Sequence, residues 1–366
     1  MTIGVLFGGP SPEHDISILT GLQAWRELER AGHGALGIYW SKAGDFVAVP
    51  AGVEAGAFAE GVPRGSSELV LRLGGEGGFA PGGRRSRAGA DVDVVLVATH
   101  GGPGEDGTLQ AALDLAGLAY TGPTAAGAAL GMDKWSFGAV ASAAGLPTLP
   151  RALLRESTGS LPFEGPYILK PRFGGSSIGI DVVADLATAR ARLATNVHLA
   201  NGCVVEPYRE DLVDVQIAVR TYPDLSLSAI ERPLRRSTGV EILDYRDKYV
   251  GGEGMASAPR ELPAVLAPGQ AEAVEAHARV VAEVATVRGV ARVDFLASET
   301  ELYVNEVNTI PGSLSKHLFV TPPLAFVRLL EDLLSEARER PTHRYSVAGA
   351  DGLVLRTAGP IAAKLA

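Results

Sequence analysis

Polar and apolar positions alternate most sharply between Gly289 and Gly312, in GVARVDFLASETELYVNEVNTIPG. At the two-residue period of an extended strand, Val290 to Leu296 turns Ala291, Val293 and Phe295 one way and Arg292, Asp294 and Leu296 the other. Leu302 to Asn308 repeats the pattern, with Val304, Glu306 and Asn308 sharing a face. With Ala297 to Glu301 as a hairpin turn, Arg292 and Asp294 lie diagonally across from Glu306. Charges on an otherwise apolar sheet need partners. Asp294, Glu306 and Asn308 offer hard oxygen ligands, which suit Mg²⁺ or Mn²⁺ and leave room for nucleotide phosphates. The plain alternative is an Asp–Arg pair on an exposed sheet edge. The Pro311–Gly312 turn that follows lets the Gly312 N–H point at a neighbouring anion.

Elsewhere the apolar periods switch between two and 3.6. Thr2 to Phe7 reads as a buried strand, Gly8 to Ser11 as a turn, and Asp15 to Arg30 as a helix, which is the opening of a doubly wound α/β domain. The GGPSPEH turn lacks the glycine spacing of a dinucleotide fingerprint, so a nicotinamide dehydrogenase is set aside. Glu13 stands at the helix entrance, where it serves either the helix dipole or a substrate. Strands are expected at Glu68 to Leu73, Gly78 to Ala80 and Asp91 to Thr99; the last delivers His100 and the glycine-rich loop 101–107 to a carboxyl end, where ligands of such sheets collect. Thr108 to Ala116 and Thr124 to Ala144 read as helices, the second running unbroken through Met132 to Trp135.

Tyr167 to Lys170 reads as a strand that enters PRFGGSSIGI. Lys170 brings charge, and Gly175, Ser176 and Ser177 belong to a loop whose N–H groups can wrap phosphate oxygens. The lysine precedes the glycines, so this is not a Walker A loop. Asp185 to Leu193 is an amphipathic helix, and Gly202 to Glu206 an extended hinge between domains whose backbone and Glu206 can read an adenine edge, or else an ordinary linker. Strands Asp214 to Arg220 and Ser226 to Glu231 precede the polar stretch Thr238 to Ala258, where DYRDKY favours a lid. Helices at Gln270 to Arg288 and Pro322 to Arg338 flank the hairpin, and no motif follows Pro341.

Composition narrows the class. The 366 residues fit two or three domains, and a net charge of −9 argues against a nucleic-acid surface. Cys203 is the only cysteine, so there is no disulfide framework, and no stretch reads as an export signal or a transmembrane helix. The expectation is a soluble, cytoplasmic protein with neither nucleic-acid nor membrane partners.

LFGGPSPEHDIS, HGGPGEDGT, YTGP, MDKW, ILKPRFGGSSIGI, DYRDKY, RVDF and EVNTIPG, in that order, resemble the ATP-grasp superfamily and within it the D-alanine–D-alanine ligase family, over roughly residues 1 to 330. The resemblance implies an α/β protein with the ATP-grasp fold in three domains: 1–122 as a substrate domain, 123–206 as a central lobe with the phosphate loop, and 207–340 as a lobe with lid and metal site, with 341–366 a tail to which it assigns no role. It implies ATP, two Mg²⁺ or Mn²⁺ ions, amino-acid substrates and a homodimer. By motif, Lys134 and Lys170 would bind ATP phosphates, Glu206 the adenine amino group, Asp214 the ribose and Lys248 the γ-phosphate. Asp294, Glu306 and Asn308 would hold the metals, and Arg292 with the Gly312 N–H would steady an anionic intermediate. Glu13 would take the first substrate's amino group and, with Ser176 and Tyr249, link the phosphate loop to the lid. His100, His317 and Leu318 fall to the substrate pocket. His317 stands where the family has a serine that helps bind the acceptor carboxylate, so a specialised dipeptide-forming ligase is the alternative reading and a non-catalytic nucleotide-binding module the third. The implied reaction is carboxylate attack on the γ-phosphate, then displacement of phosphate by an amine.

Overall fold

Strands separated by crossover helices pair side by side, whereas strands joined by short turns pair antiparallel, and both regimes are present in this chain. The computed structural model describes residues 2–74, 77–82, 91–234, 259–342 and 346–361. Among these the strands form a seven-stranded sheet, two four-stranded sheets and a two-stranded ribbon.

The first sheet contains β1 (Ile3–Gly8), β2 (Ala35–Trp40), β3 (Phe46–Ala48), β4 (Ser67–Arg72), β5 (Gly78–Pro81), β6 (Val94–Val97) and β7 (Ala119–Tyr120), in the order β5-β4-β3-β2-β1-β6-β7. β2, β1, β6 and β7 are parallel, with β1 and β6 fully enclosed, as expected of a sheet covered on both faces. The doubly wound reading holds for that half alone, because β3, β4 and β5 extend the sheet as antiparallel hairpins. α1 (His14–Arg30) covers one face, with Trp25 and Leu28 buried. α2 (Thr108–Leu115) crosses to β7.

The helix expected over 124–144 is two, α3 (Ala125–Met132) and α4 (Lys134–Ala143). Asp133 is extended at φ −83°, ψ 94°, and its carboxylate accepts the N–H groups of Trp135 and Ser136 as an N-cap while Arg172 grips both oxygens. The break aims α4 so that its first residue, Lys134, begins at the cleft described below.

The second sheet, β10-β9-β11-β8, holds β8 (Ala152–Leu154), β9 (Tyr167–Pro171), β10 (Asp181–Val183) and β11 (Cys203–Pro207), with α5 (Leu186–Thr195) behind it. β11 is an interior strand paired on both sides, and not a hinge or linker. The third sheet, β13-β12-β16-β17, is antiparallel and holds β12 (Val213–Arg220), β13 (Ser226–Leu227), β16 (Val290–Ala297) and β17 (Leu302–Asn308). The strand expected over 226–231 is therefore two residues long, after which Glu231 only bridges to Gln216. β14 (Arg232–Pro233) and β15 (Arg260–Glu261) form the ribbon that flanks residues 235–258, so the expected lid, with Lys248 and Tyr249, lies outside the described residues. α6 (Gln270–Val284) buries Val274, Ala278 and Val281 against the third sheet.

α7 starts later than expected, at Phe326, and runs to Glu339. Its Leu329, Leu330, Leu333 and Leu334 join the core of the first sheet, so the chain returns near its end to the layer in which it began. α8 (Leu353–Arg356) is a single exposed turn.

Candidate active site

The β16–β17 hairpin does not have the register that strict alternation predicts. Arg292 faces Asn308 and Asp294 faces Glu306 directly, after which Phe295 faces Val304. Asn305 is therefore an extra residue, a β-bulge, and Val304 lies in the core while Glu306 and Asn308 share the charged face. The diagonal placement of Glu306 and the common face given to Val304 are corrected by that one residue. Two carboxylates opposed across a ladder repel unless cations intervene. Arg292 donates to both oxygens of Asp294 at 2.6 and 2.7 Å, Asn308 Nδ2 donates to the same carboxylate at 2.9 Å, and Lys134 Nζ reaches Glu306 at 2.6 Å.

The glycine-rich loop expected to wrap phosphate follows β9. Ser176 and Ser177 hold the left-handed conformation, φ 52° and 58°, which costs a non-glycine residue roughly 1 kcal/mol or more and concentrates at ligand-binding sites. The Ser176 hydroxyl donates to Glu13, and Lys134 Nζ donates to the Gly174 carbonyl at 2.8 Å. A Cβ on Gly101 would lie 2.3 Å from Glu13 Oε2 and one on Gly175 3.0 Å from it, so the acid is cradled where only glycine fits. Lys170 Nζ is shared between Glu206 at 2.7 Å and the Asn305 side chain at 3.0 Å. Glu206 is 1 % exposed, and its second oxygen lies 2.6 Å from Arg151 Nε. Burial alone would raise its carboxyl; the charges of Lys170 and Arg151 outweigh that and hold it below the usual carboxylate range.

These groups line two cavities with a common wall. The larger, about 970 Å³ and open to solvent, is bounded by Lys170, Ser177, Glu206, Asp214, Asp294 and Asn305. The smaller, about 320 Å³, is bounded by Glu13, Glu105, Met132 and Asn308. Lys134, Gly174, Gly175 and Glu306 face both. An open cleft thus meets a smaller pocket across a lysine, a loop backbone and a carboxylate.

Residues 2–123 match the family profile "D-ala D-ala ligase N-terminus" and residues 137–334 match "D-ala D-ala ligase C-terminus". The chain belongs to the D-alanine–D-alanine ligase family. It is 32 % identical over 364 residues to a D-alanine–D-alanine ligase of Mycobacterium ulcerans, covering 93 % of this chain and 96 % of that one. Among solved structures it resembles the D-alanyl-alanine synthetase A of Vibrio cholerae, with a TM-score of 0.77 at 22 % identity over 92 % of this chain and 98 % of that one. It also resembles the D-alanine–D-alanine ligase of Helicobacter pylori, with a TM-score of 0.72 at 24 % identity over 94 % and 100 %. The two structural likenesses show the ATP-grasp fold. Membership makes this protein an ATP-dependent, ADP-forming ligase that uses a divalent metal and small amino-acid substrates. Among the described residues no helix is long and apolar enough to cross a membrane.

Not every expected residue reaches the cavities. His100 is buried, with Nδ1 2.7 Å from the Ile310 carbonyl and Nε2 2.8 Å from Thr20 Oγ1, which leaves neither nitrogen to a ligand in this conformation. Burial pushes its ring down to about 4, so it is neutral. Leu318 is 0 % exposed within the core, and its carbonyl accepts the Ala229 N–H; a substrate contact through its side chain is excluded by that packing. His317 meets Glu231 at 3.2 Å, and Glu231 also pairs with Arg260 at 3.0 Å. Gly312 opens a turn in which Ser313, Leu314 and Ser315 are all left-handed. Asn305 and Glu105 are among the lining residues that escaped the sequence reading. Asn305 is placed by the bulge, and Glu105, whose oxygens accept the N–H groups of Gly101 and Ile310, is pushed up to about 7 by burial and by Glu13.

The donor set fits a hard divalent ion. Asp294 and Glu306 oppose each other with Asn308 beside them, and all three offer oxygen. Among the described residues no group of three or more His, Cys, Asp or Glu side chains is clustered for a metal, so nucleotide oxygens would complete any shell here.

Proposed function

We propose that this ligase joins two molecules of D-alanine into a dipeptide at the expense of ATP, the activity named for its relatives. The observation that carries the proposal is the shared wall: Lys134 and Glu306 border both the larger, open cleft and the pocket that holds Glu13. ATP occupies the larger cleft, with Asp214 toward the ribose, and Lys170, Gly175, Ser177 and Lys134 toward the phosphates. Asp294, Glu306 and Asn308 hold two Mg²⁺ ions, which when bound neutralise charge on the triphosphate. With both Glu206 oxygens facing cations, the backbone of β11 takes a larger part in reading the base.

Glu13 receives the ammonium group of the donor, which aims its carboxylate at the shared wall. The donor carboxylate oxygen attacks the γ-phosphorus and ADP leaves; the acceptor amine then attacks the acyl carbon, loses a proton, and the C–O bond breaks to release phosphate. Arg292 and the Gly312 N–H stabilise the tetrahedral anion. Lys248 serves the γ-phosphate, and Tyr249 with Ser176 and Glu13 closes the site against water. Only the Ser176–Glu13 bond of that link falls within the described residues. The reading extends to domains 1–122, 123–206 and 207–340, a cytoplasmic location and a homodimer.

His317 favours a second reading of the acceptor, since its imidazole, 3.2 Å from Glu231, puts a bulkier ring where the family has a serine. Phosphate release measured with a panel of D- and L-amino acids and D-lactate, with product mass, tests both. D-Ala-D-Ala as the fastest product supports the proposal, and a mixed dipeptide formed faster than D-Ala-D-Ala replaces it with the specialised ligase.

A further inference from the structure

Arg151 lies just before β8 at the edge of the second sheet, and the sequence offers no motif around it. Its side chain is 6 % exposed, and all three of its nitrogens are engaged. Nε stands 2.6 Å from Glu206 Oε1, off the line of a well-directed hydrogen bond, so that contact is chiefly charge on charge. Nη1 donates to the Lys134 carbonyl at 2.7 Å, and Nη2 donates to the Asn305 carbonyl. These three partners sit on β11, at the first turn of α4, and on the bulge of β17.

Each partner places a cleft residue. Glu206 fixes the Lys170 ammonium, the first turn of α4 carries Lys134, and the bulge sets Asn305 toward Lys170 and Glu306 opposite Asp294. A bulge leaves a backbone group outside the ladder, and the guanidinium supplies the donor for its carbonyl. Space for that fork is built into α4, because a Cβ at Gly138 would lie 2.6 Å from Arg151 Nη1 and 2.8 Å from Cδ. Glycine in a helix interior is unfavourable by roughly 1 kcal/mol against alanine, and here it admits the arginine.

We infer that Arg151 is a positioning residue for the nucleotide half of the reaction, a buried fork that sets the two phosphate-facing lysines and the Glu306 hairpin in one geometry. The inference rests on reading the larger cleft as the ATP site. A planar fork with several directed donors is what the three partners require, and lysine supplies the charge without the fork. The smaller pocket, with Glu13 and Glu105, meets Arg151 through the backbone carbonyl of Lys134, whereas the larger cleft is lined by Lys134, Glu206 and Asn305, all three of its partners, so ATP binding suffers more than donor binding.

The test uses the full chain with Arg151→Met, Arg151→Lys and Gly138→Ala. Mg·ATP affinity is read by calorimetry, the KM values for ATP and D-alanine by phosphate release, and folding by circular dichroism. Arg151→Met raises the ATP Kd and KM roughly tenfold to hundredfold and leaves the donor KM within about threefold. Arg151→Lys recovers part of the loss, and Gly138→Ala, which displaces the fork while keeping the charge, weakens ATP in the same sense. Glu206 is faced by Lys170 from β9, by Arg151 and, at longer range, by Lys134 from α4. With Arg151 gone its proton is held more tightly, so ATP affinity in Arg151→Met improves with rising pH relative to the wild type. ATP affinity unchanged in a folded Arg151→Met or Gly138→Ala overturns the inference, as does an equal rise of both KM values in all three variants. A wild-type chain that fails to bind Mg·ATP overturns instead the reading of the cleft.

Discussion

Replacing Asp294 with asparagine separates what the hairpin does for folding from what it does for catalysis. In the wild type the carboxylate takes two bonds from Arg292 at 2.6 and 2.7 Å and one from Asn308 at 2.9 Å, while Glu306 opposes it in the ladder. Asparagine keeps the shape and removes the charge. Arg292 loses a charge-assisted partner in a mostly buried setting, a cost of about 1–3 kcal/mol, and the relief of repulsion with Glu306 returns part of it. The expected loss of stability is therefore below about 3 kcal/mol, small enough for the variant to stay folded. On the proposed reading one charged ligand is gone from the place where triphosphate charge would be neutralised, and a single electrostatic group of that kind carries roughly 3–4 kcal/mol, or a hundredfold to thousandfold in rate. The assay is amino-acid-dependent phosphate release across an Mg²⁺ titration, alongside urea unfolding. Activity within about tenfold of wild type at matched Mg²⁺, or activity lost only in step with unfolding, refutes the reasoning.

Glu105 and His100 make opposed contributions to stability that a pH series resolves. Glu105, near 7 when folded, holds an extra proton relative to the unfolded chain from about pH 4.5 to 7, so its contribution falls as pH rises through that window. His100, near 4 when folded, holds one fewer than the unfolded chain from about 6.5 down to 4, so its contribution is lost as pH falls. The wild type is accordingly almost insensitive to these two groups between about pH 5 and 6.5; urea midpoints rise with pH across that range in Glu105→Gln and fall in His100→Gln, and parallel slopes in all three proteins contradict the assignment. Asp133, held down to about 2 by Arg172 and Ser136 despite its burial, caps α4; Asp133→Ala lowers stability by roughly 2 kcal/mol at neutral pH, and an unchanged urea midpoint argues against the cap. Burial pushes the Cys203 thiol up to about 12, so iodoacetamide labels it only in denaturant, and rapid labelling of the native chain disproves the placement.

Elements with strong local pattern could be read from the chain alone. β16 and β17 came from strict alternation, and α1 from its helical period after a glycine turn. The grouping of Lys134, Lys170, Asp294 and Glu306 followed from motif order. β2 was missed because ALGIYW is a short apolar run without alternation, and β8 and β10 because three residues carry no period. The bulge at Asn305 had no local signal, since one inserted residue changes partners and not composition. The break before α4 did have one, an Asp just ahead of a helical run, but the apolar pattern continues through it. Glu105 lay in a loop marked by its glycines, and its role as acceptor for Ile310, 205 positions away, is a product of tertiary structure. Arg151 is of the same kind, because its three partners converge only once both sheets are built.

The central claim is that this site hands the γ-phosphoryl group to a carboxylate, and oxygen labelling follows that event itself. D-Alanine carrying ¹⁸O in its carboxyl group is turned over with unlabelled ATP, and the released phosphate is weighed by mass spectrometry. Transfer through an acyl phosphate leaves one donor oxygen in each phosphate formed, together with a dipeptide that has lost one label. Phosphate free of ¹⁸O, released at the same rate with or without D-alanine, would mean that water and not a carboxylate takes the phosphoryl group.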